Sequence, residues 1–187
     1  MAEKKTAVFG IYSTRDRAER AADALVNGGF STSDISALLP ENLGPAAIAT
    51  QKATKAPEGA TTGAGTGAVL GGALGLLAGI GTLAIPGVGP LIAAGPIMAT
   101  LAGIGVGGTV GGIAGALVGL GIPEYEARRY EGRIQKGGIL LSVHCATSDE
   151  IKRAKEILER TGGEDISSAS ESSAESRATM RRSAGMD

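Results

Sequence analysis

The amino-acid sequence predicts an α+β fold: a ferredoxin-like domain built from two βαβ units, with a glycine-zipper α-helical hairpin inserted between them. Three features of the chain lead there. A β-rich run, an amphipathic helix and a second β-rich run follow one another near the start and again towards the end. No side chain between Glu58 and Glu124 is charged. Within that stretch, glycines recur at strict four-residue spacing. The 187 residues are enough for one ordinary domain plus an insertion.

Residues 1–40 carry the first unit. Thr6-Ala7-Val8-Phe9-Gly10-Ile11-Tyr12 is a short β-rich run, and Ser13 is placed to cap the helix that follows. Ala18, Ala21, Ala22 and Leu25 recur at helical spacing, and Gly28-Gly29 stops the helix. Asp34-Ile35-Ser36-Ala37-Leu38-Leu39 reads as a second strand closed by Pro40. Residues 41–58, with Gly44-Pro45 and Pro57, read as a linker whose basic elements are Lys52 and Lys55. Residues 59–122 are the uncharged stretch.

Residues 123–169 carry a charged helix and the second unit. Pro123 opens the helix at a tolerated first-turn position and Gly137-Gly138 ends it. Ile139-Leu140-Leu141-Ser142-Val143-His144 is a strand. Thr147 and Glu150 have capping-box spacing, and Ile151, Ala154, Ile157 and Leu158 form the apolar face of the next helix. Gly162-Gly163 ends that helix and Asp165-Ile166-Ser167 begins a last strand. Residues 170–187 are Ser-rich without an apolar period and read as a disordered tail.

The two units align residue for residue. Asp16, Ala21, Leu25 and Gly29 match Asp149, Ala154, Leu158 and Gly162 at a constant offset; the loop before Asp165-Ile166-Ser167 is then two residues shorter than that before Asp34-Ile35-Ser36. Such units side by side give a four-stranded antiparallel sheet with two helices on one face.

The uncharged stretch has its own period. Gly63, Gly67, Gly71, Gly75 and Gly79 form one series, and Gly103, Gly107, Gly111, Gly115 and Gly119 another, which Gly95 and Ala99 extend backwards. Between them lie Pro86, Pro90 and Pro96, a turn region. Residues four apart share a helix face, so each series is a side-chain-free groove where a second backbone can approach closely. In water each interior glycine costs such a helix about 1 kcal/mol relative to alanine. A bilayer or a tight protein assembly must offset that cost, and a bilayer enforces helix formation.

The arms 61–85 and 97–122 each reach the ~20 apolar residues of a membrane span. Lys52 and Lys55 before the hairpin, and Arg128, Arg129 and Arg133 after it, are the expected membrane-flanking residues. By the positive-inside rule they keep the folded domain cytoplasmic. Gly and Ala drive insertion only weakly, and no aromatic belt lies inside the hairpin; Tyr125 and Tyr130 are nearby. The alternative is a homo-oligomer whose hairpins form a shared core. A single chain sheltering the hairpin against its own small domain is not expected, since the rest of the chain offers little apolar surface.

Other signals are weaker. Gly103-Ile104-Gly105-Val106-Gly107-Gly108 fits GxGxxG with Glu124 downstream, but a dinucleotide site needs a strand before the first glycine, and here the four-residue period continues on both sides. His144 and Cys145, the only His and the only Cys, are strand neighbours that point to opposite faces, so they make neither a catalytic pair nor a metal site. The charges of 124–136 suit a solvated helix face with i,i+4 pairs, or contact with lipid headgroups. Arg177, Arg181 and Arg182 lie in the tail. A net charge of -1 and two Phe, three Tyr and no Trp give no basic, aromatic-rich surface for nucleic acid. One cysteine allows no internal disulfide, and the short N-terminal run is not a signal peptide, so the chain is expected to start in the cytoplasm.

Phe9-Gly10-Ile11-Tyr12 with its following helix, Asp34–Pro40, Gly121-Ile122-Pro123-Glu124-Tyr125-Glu126-Ala127 and Gly138-Ile139-Leu140-Leu141-Ser142-Val143-His144 resemble the bacterial general-stress, YflT-like proteins, in particular glycine-rich members with an internal hydrophobic hairpin. The resemblance covers about residues 7–169. It implies a stress-associated role and no catalytic residues or cofactors. The expected protein is not an enzyme. It is a structural protein that anchors in or remodels the bacterial inner membrane through the hairpin and self-associates, its soluble domain cytoplasmic. The alternatives are a soluble cytoplasmic homo-oligomeric particle and a small-ligand-binding regulator.

Overall fold

The structure, a computed structural model, describes residues 6–40, 82–85, 89–98 and 112–170. In chain order it forms strand β1 (Thr6–Tyr12), helix α1 (Arg15–Asn27), a 3₁₀ turn (Thr32–Asp34), β2 (Ile35–Pro40), β3 (Thr82–Ile85) and β4 (Gly89–Ala94). Helices α2 (Gly112–Gly119) and α3 (Glu124–Gln135), strand β5 (Ile139–Cys145), α4 (Ser148–Arg160) and β6 (Glu164–Ser170) follow. The fold is α+β, with an antiparallel sheet in the order β3-β4-β2-β5-β1-β6 among the described residues.

β5 lies between β1 and β2, and β6 flanks β1 on its other side. Each helix of a repeat unit therefore carries the chain past one intervening strand. The matched residues occupy matched places: Ala21 and Ala154, and Leu25 and Leu158, are fully buried. Gly29 and Gly162 both take a left-handed φ as their helices end, and the next amides close back onto the Leu25 and Leu158 carbonyls, at 3.1 and 2.8 Å. The capping box at Thr147 and Glu150 is present. Ser13 does not cap α1: the helix starts at Arg15, which makes Thr14 the cap residue, with no side-chain cap bond.

Alternation along the strands divides the core in two. Val8, Tyr12, Ala37, Leu39, Leu141 and Val143 meet α1 and α4 on the first face. Ala7, Phe9, Ile11, Leu38 and Leu140 meet a second layer of Ile97, Met98, Ile113, Leu117, Tyr130 and Ile134. Helices on one face only, the sequence expectation, is thus corrected. β1 is apolar at both parities, with Ala7, Phe9 and Ile11 on one side and Val8 and Tyr12 on the other, and a strand apolar on both sides needs cover on both.

The expected hairpin is corrected over its described part. Residues 82–85 and 89–94, expected as the end of one helical arm and a turn region, are strands that extend the sheet beyond β2. They lie between the two glycine series, and the open edge of β2 supplies the ladder that a helix would have had to supply internally. Gly95 does not extend the second glycine series. It turns with a left-handed φ against β2, where an added Cβ would stand 2.4 Å from Ser36 Oγ and 2.7 Å from the Ile35 carbonyl oxygen. The turn lets the Ile97 amide donate to Ser36 Oγ at 3.2 Å and drops Ile97 and Met98 onto the second face.

The end of the second arm also returns to the sheet. Ile113, Leu117, Leu120 and Ile122 are buried in the same core as Phe9 and Leu38. The chain thus does shelter this part of the stretch against its own domain, contrary to expectation. No described helix is long and apolar enough to cross a membrane.

Candidate functional site

A cluster of polar contacts lies where α3 crosses the start of β6, at the shortened loop of the second repeat. In the first unit, residues 31–34 form the 3₁₀ turn with its own Ser31–Asp34 capping box before β2 begins. The second unit lacks room for such a turn. Asp165 instead takes φ 52, the one left-handed non-glycine residue among those described. Ile11 pairs with Glu164 and Phe9 with Ser167, so Asp165 and Ile166 together face Gly10 in a β-bulge.

The bulge turns Asp165 towards α3, which grips it three times. Arg129 pairs with its carboxylate. Arg133 Nε stands 3.3 Å from Oδ2, an ionic approach without hydrogen-bond alignment. The Tyr130 hydroxyl donates to the Asp165 carbonyl oxygen and lies 3.1 Å from Ser167 Oγ. Arg133 also pairs with Glu164. The Asp165 side chain is only 12% exposed, against 46% and 41% for Arg129 and Arg133. Burial pushes the Tyr130 hydroxyl pKa above its ordinary value, an effect that its bond to Ser167 opposes.

α2 is joined to α3 rather than directly to this cluster. The Ala114 amide donates to Glu131 Oε1 at 3.4 Å, placing a carboxylate at the positive end of α2. The two helices thus form a stapled pair, fastened to the sheet by α3 at the β6 edge.

The predicted site residues are distributed unevenly over this geometry. Gly63, Gly67, Gly71, Gly75, Gly79, Gly103, Gly107 and Gly111, with Lys52 and Lys55, lie outside the described residues, as do the GxGxxG glycines and Arg177, Arg181 and Arg182. Gly115 and Gly119 lie on α2. Of the expected membrane-flanking arginines, Arg128 pairs with Glu124 on its own helix at 2.7 Å, the i,i+4 pattern read from the sequence. That pairing raises the Arg128 pKa. Arg129 and Arg133 are held in the cluster. Tyr125 is 72% exposed and lies under the Arg129 guanidinium, 5.6 Å from ring centroid to Cζ.

Cys145 is buried in the first face and His144 is half-buried, their ring and thiol on opposite parities of β5. Among the described residues no group of three or more His, Cys, Asp or Glu is arranged to hold a metal. What the cluster can do is mechanical: three side chains of one helix hold a bulge that only Asp, Asn or Gly adopts readily. Sequence reasoning missed Asp165 and Tyr130 as partners. The shortened loop was visible, but not that α3 would lie across it. Comparison of the chain with protein-family models, curated proteins and solved structures gives no significant match.

Proposed function

We propose that the protein is a non-enzymatic, stress-associated structural protein. It anchors on or remodels the cytoplasmic face of a bacterial inner membrane and self-associates through its glycine-rich segments. The stress association rests on the resemblance to YflT-like proteins, and the run β6-β1-β5-β2 within the sheet supports a ferredoxin-like domain with β3, β4, α2 and α3 as its insertion.

The observation that carries the mode of attachment is the placing of Pro40 and Thr82. Leu39 pairs with Ile92 and Ile92 with Thr82, so the chain leaves and re-enters one and the same sheet. Whatever lies between must return to the side it left. The number of bilayer crossings is therefore even, while the uncharged residues 59–81 have apolar length for one crossing at about 20 residues each. Shallow insertion from one side satisfies both conditions, and two full spans do not. Exposed Tyr125 beside Arg128 and Arg129 suits the headgroup level of such an attachment.

A soluble homo-oligomeric particle is the second reading, favoured by the burial of Ile97, Met98, Ile113, Leu117 and Ile122 without any bilayer. Membrane fractionation with a carbonate wash, followed by sizing with and without detergent, separates the two. Retention in the washed membrane pellet is expected. A large particle in the soluble fraction, of the same size in either buffer, would replace the first reading by the second.

A further inference from the structure

We propose that Glu164 and Asp165 are a latch: they hold the α2–α3 pair on the second face of the sheet, and its release is the step that presents the pair's apolar surface and arginines to an anionic lipid surface. The inference rests on the membrane reading above and adds the contact that regulates it.

Four observations converge on it. α2 is Gly-Ile-Ala-Gly-Ala-Leu-Val-Gly, apolar around its whole circumference, so lipid would serve it as well as the core it now lines. α2 and α3 are stapled to each other through Glu131, so they can move as one body. Among the described residues, side-chain polar contacts from α3 to the sheet gather where Asp165 receives Arg129, Tyr130 and Arg133 and Glu164 receives Arg133. Arg129 and Arg133 are the cations a lipid phosphate would recruit, and in the closed form carboxylates occupy them. A surface rich in anionic headgroups competes for the same guanidiniums, because a lipid phosphate and a carboxylate are both anions that Arg binds through charge-assisted hydrogen bonds. Phe9, Ile11, Leu38 and Leu140 lie beneath the pair, so opening uncovers a second apolar surface as well.

Asp165→Asn in the full chain is the decisive variant. Asn tolerates the left-handed φ of the bulge, so the strand is kept while the charge is lost. Amide hydrogen exchange over 112–135 is expected to speed up by about tenfold or more, with exchange in α1 and α4 unchanged. Arg129→Gln is expected to act in the same direction in the wild-type background and to add little in Asp165→Asn, because both remove one contact. Arg153→Ala, on the first face where Arg153 donates to the Gly28 carbonyl oxygen, leaves 112–135 unaffected.

Flotation with phosphatidylglycerol vesicles, and with phosphatidylcholine vesicles as the neutral arm, reads the consequence. Binding to the anionic vesicles is expected to rise several-fold in Asp165→Asn, with no rise on the neutral ones. Unchanged exchange over 112–135 in both variants overturns the latch, as does an acceleration shared equally by α1 and α4. Faster exchange over 112–135 without vesicle binding keeps the latch and removes the membrane reading on which it was built.

Discussion

One sheet carries two helical covers of opposite construction. On the first face α1 and α4 are each amphipathic, burying Ala18, Ala21, Ala22 and Leu25, or Ala154, Ile157 and Leu158, beneath charged outer surfaces. Each is the crossover of its own βαβ unit. On the second face the work is divided: α2 is apolar throughout, and α3, which buries Ala127, Tyr130 and Ile134, supplies the charge. An amphipathic crossover helix has one place to go, since its stripe fits the sheet and its other side needs water. An apolar helix has no such preference. α2 is therefore held in the second cover by particular contacts, and the first cover by its own pattern.

That contrast predicts different responses to one kind of damage. Leu158 and Leu117 are both fully buried, one under each cover. Leu158→Ala is expected to cost about 2–5 kcal/mol of global stability in urea unfolding, by lost burial and the cavity left behind. Leu117→Ala removes as much surface, but its cost is expected to fall on local opening: exchange protection drops in α2 and α3 while β1, β5 and α4 keep theirs. Equal loss of protection everywhere in both variants would show one cooperative unit and dissolve the distinction between the covers.

A second substitution tests where the second cover begins. Gly95 carries a left-handed φ of 93° and packs against Ser36. An alanine there meets backbone as well as a hydroxyl, so the strain cannot be relieved by rotating one side chain. Gly95→Ala is expected to cost about 3 kcal/mol, with the loss measured first at β4 and at the Ile97 amide that Ser36 accepts. A variant as stable as wild type in urea would mean that this turn does not seat the second cover.

The first face was legible in the sequence and the second was not, for a physical reason. Ala21, Leu25, Ala154 and Leu158 write a helical period that only one arrangement satisfies, and glycines mark where those helices stop. The strands within the uncharged stretch carry no such period. Leu83-Ala84-Ile85 and Leu91-Ile92-Ala93-Ala94 are short apolar runs that fit a buried strand or a helix equally well. What decides is the free edge of β2, a tertiary fact. The latch was partly visible, because the missing loop residues could be counted. The arginines that meet Asp165 were instead read as flanking a bilayer, since charge beside an apolar stretch has the same appearance whether its partner is a lipid or a carboxylate on a distant strand.

The smallest expected effect compares the two faces through a buried tyrosine on each. Tyr12 reaches from β1 to the end of α4, its hydroxyl 3.2 Å from the Leu158 carbonyl oxygen and 2.9 Å from Thr161 Oγ1. Tyr130 reaches the other way, from α3 to β6. Either Tyr→Phe variant is expected to lose about 0.5–1.5 kcal/mol at neutral pH. Tyr12→Phe should lie at the low end, because the Leu158 carbonyl keeps the Gly163 amide and the Thr161 hydroxyl as donors. Alkali separates them further. Burial, partly opposed by the Thr161 bond, pushes the Tyr12 pKa from 10.0 up to about 12, and burial raises that of Tyr130 as well. Above pH 10 the unfolded phenol loses its proton while the folded one keeps it. Stability that is intact below pH 10 is therefore lost as the pH rises towards 12. Urea midpoints taken across that window should fall less steeply in Tyr12→Phe than in wild type. If Tyr130→Phe flattens only the exchange of α2 and α3, and not the global midpoint, the second cover opens before the fold does; identical alkaline slopes in wild type and both variants would mean that neither hydroxyl is held as described.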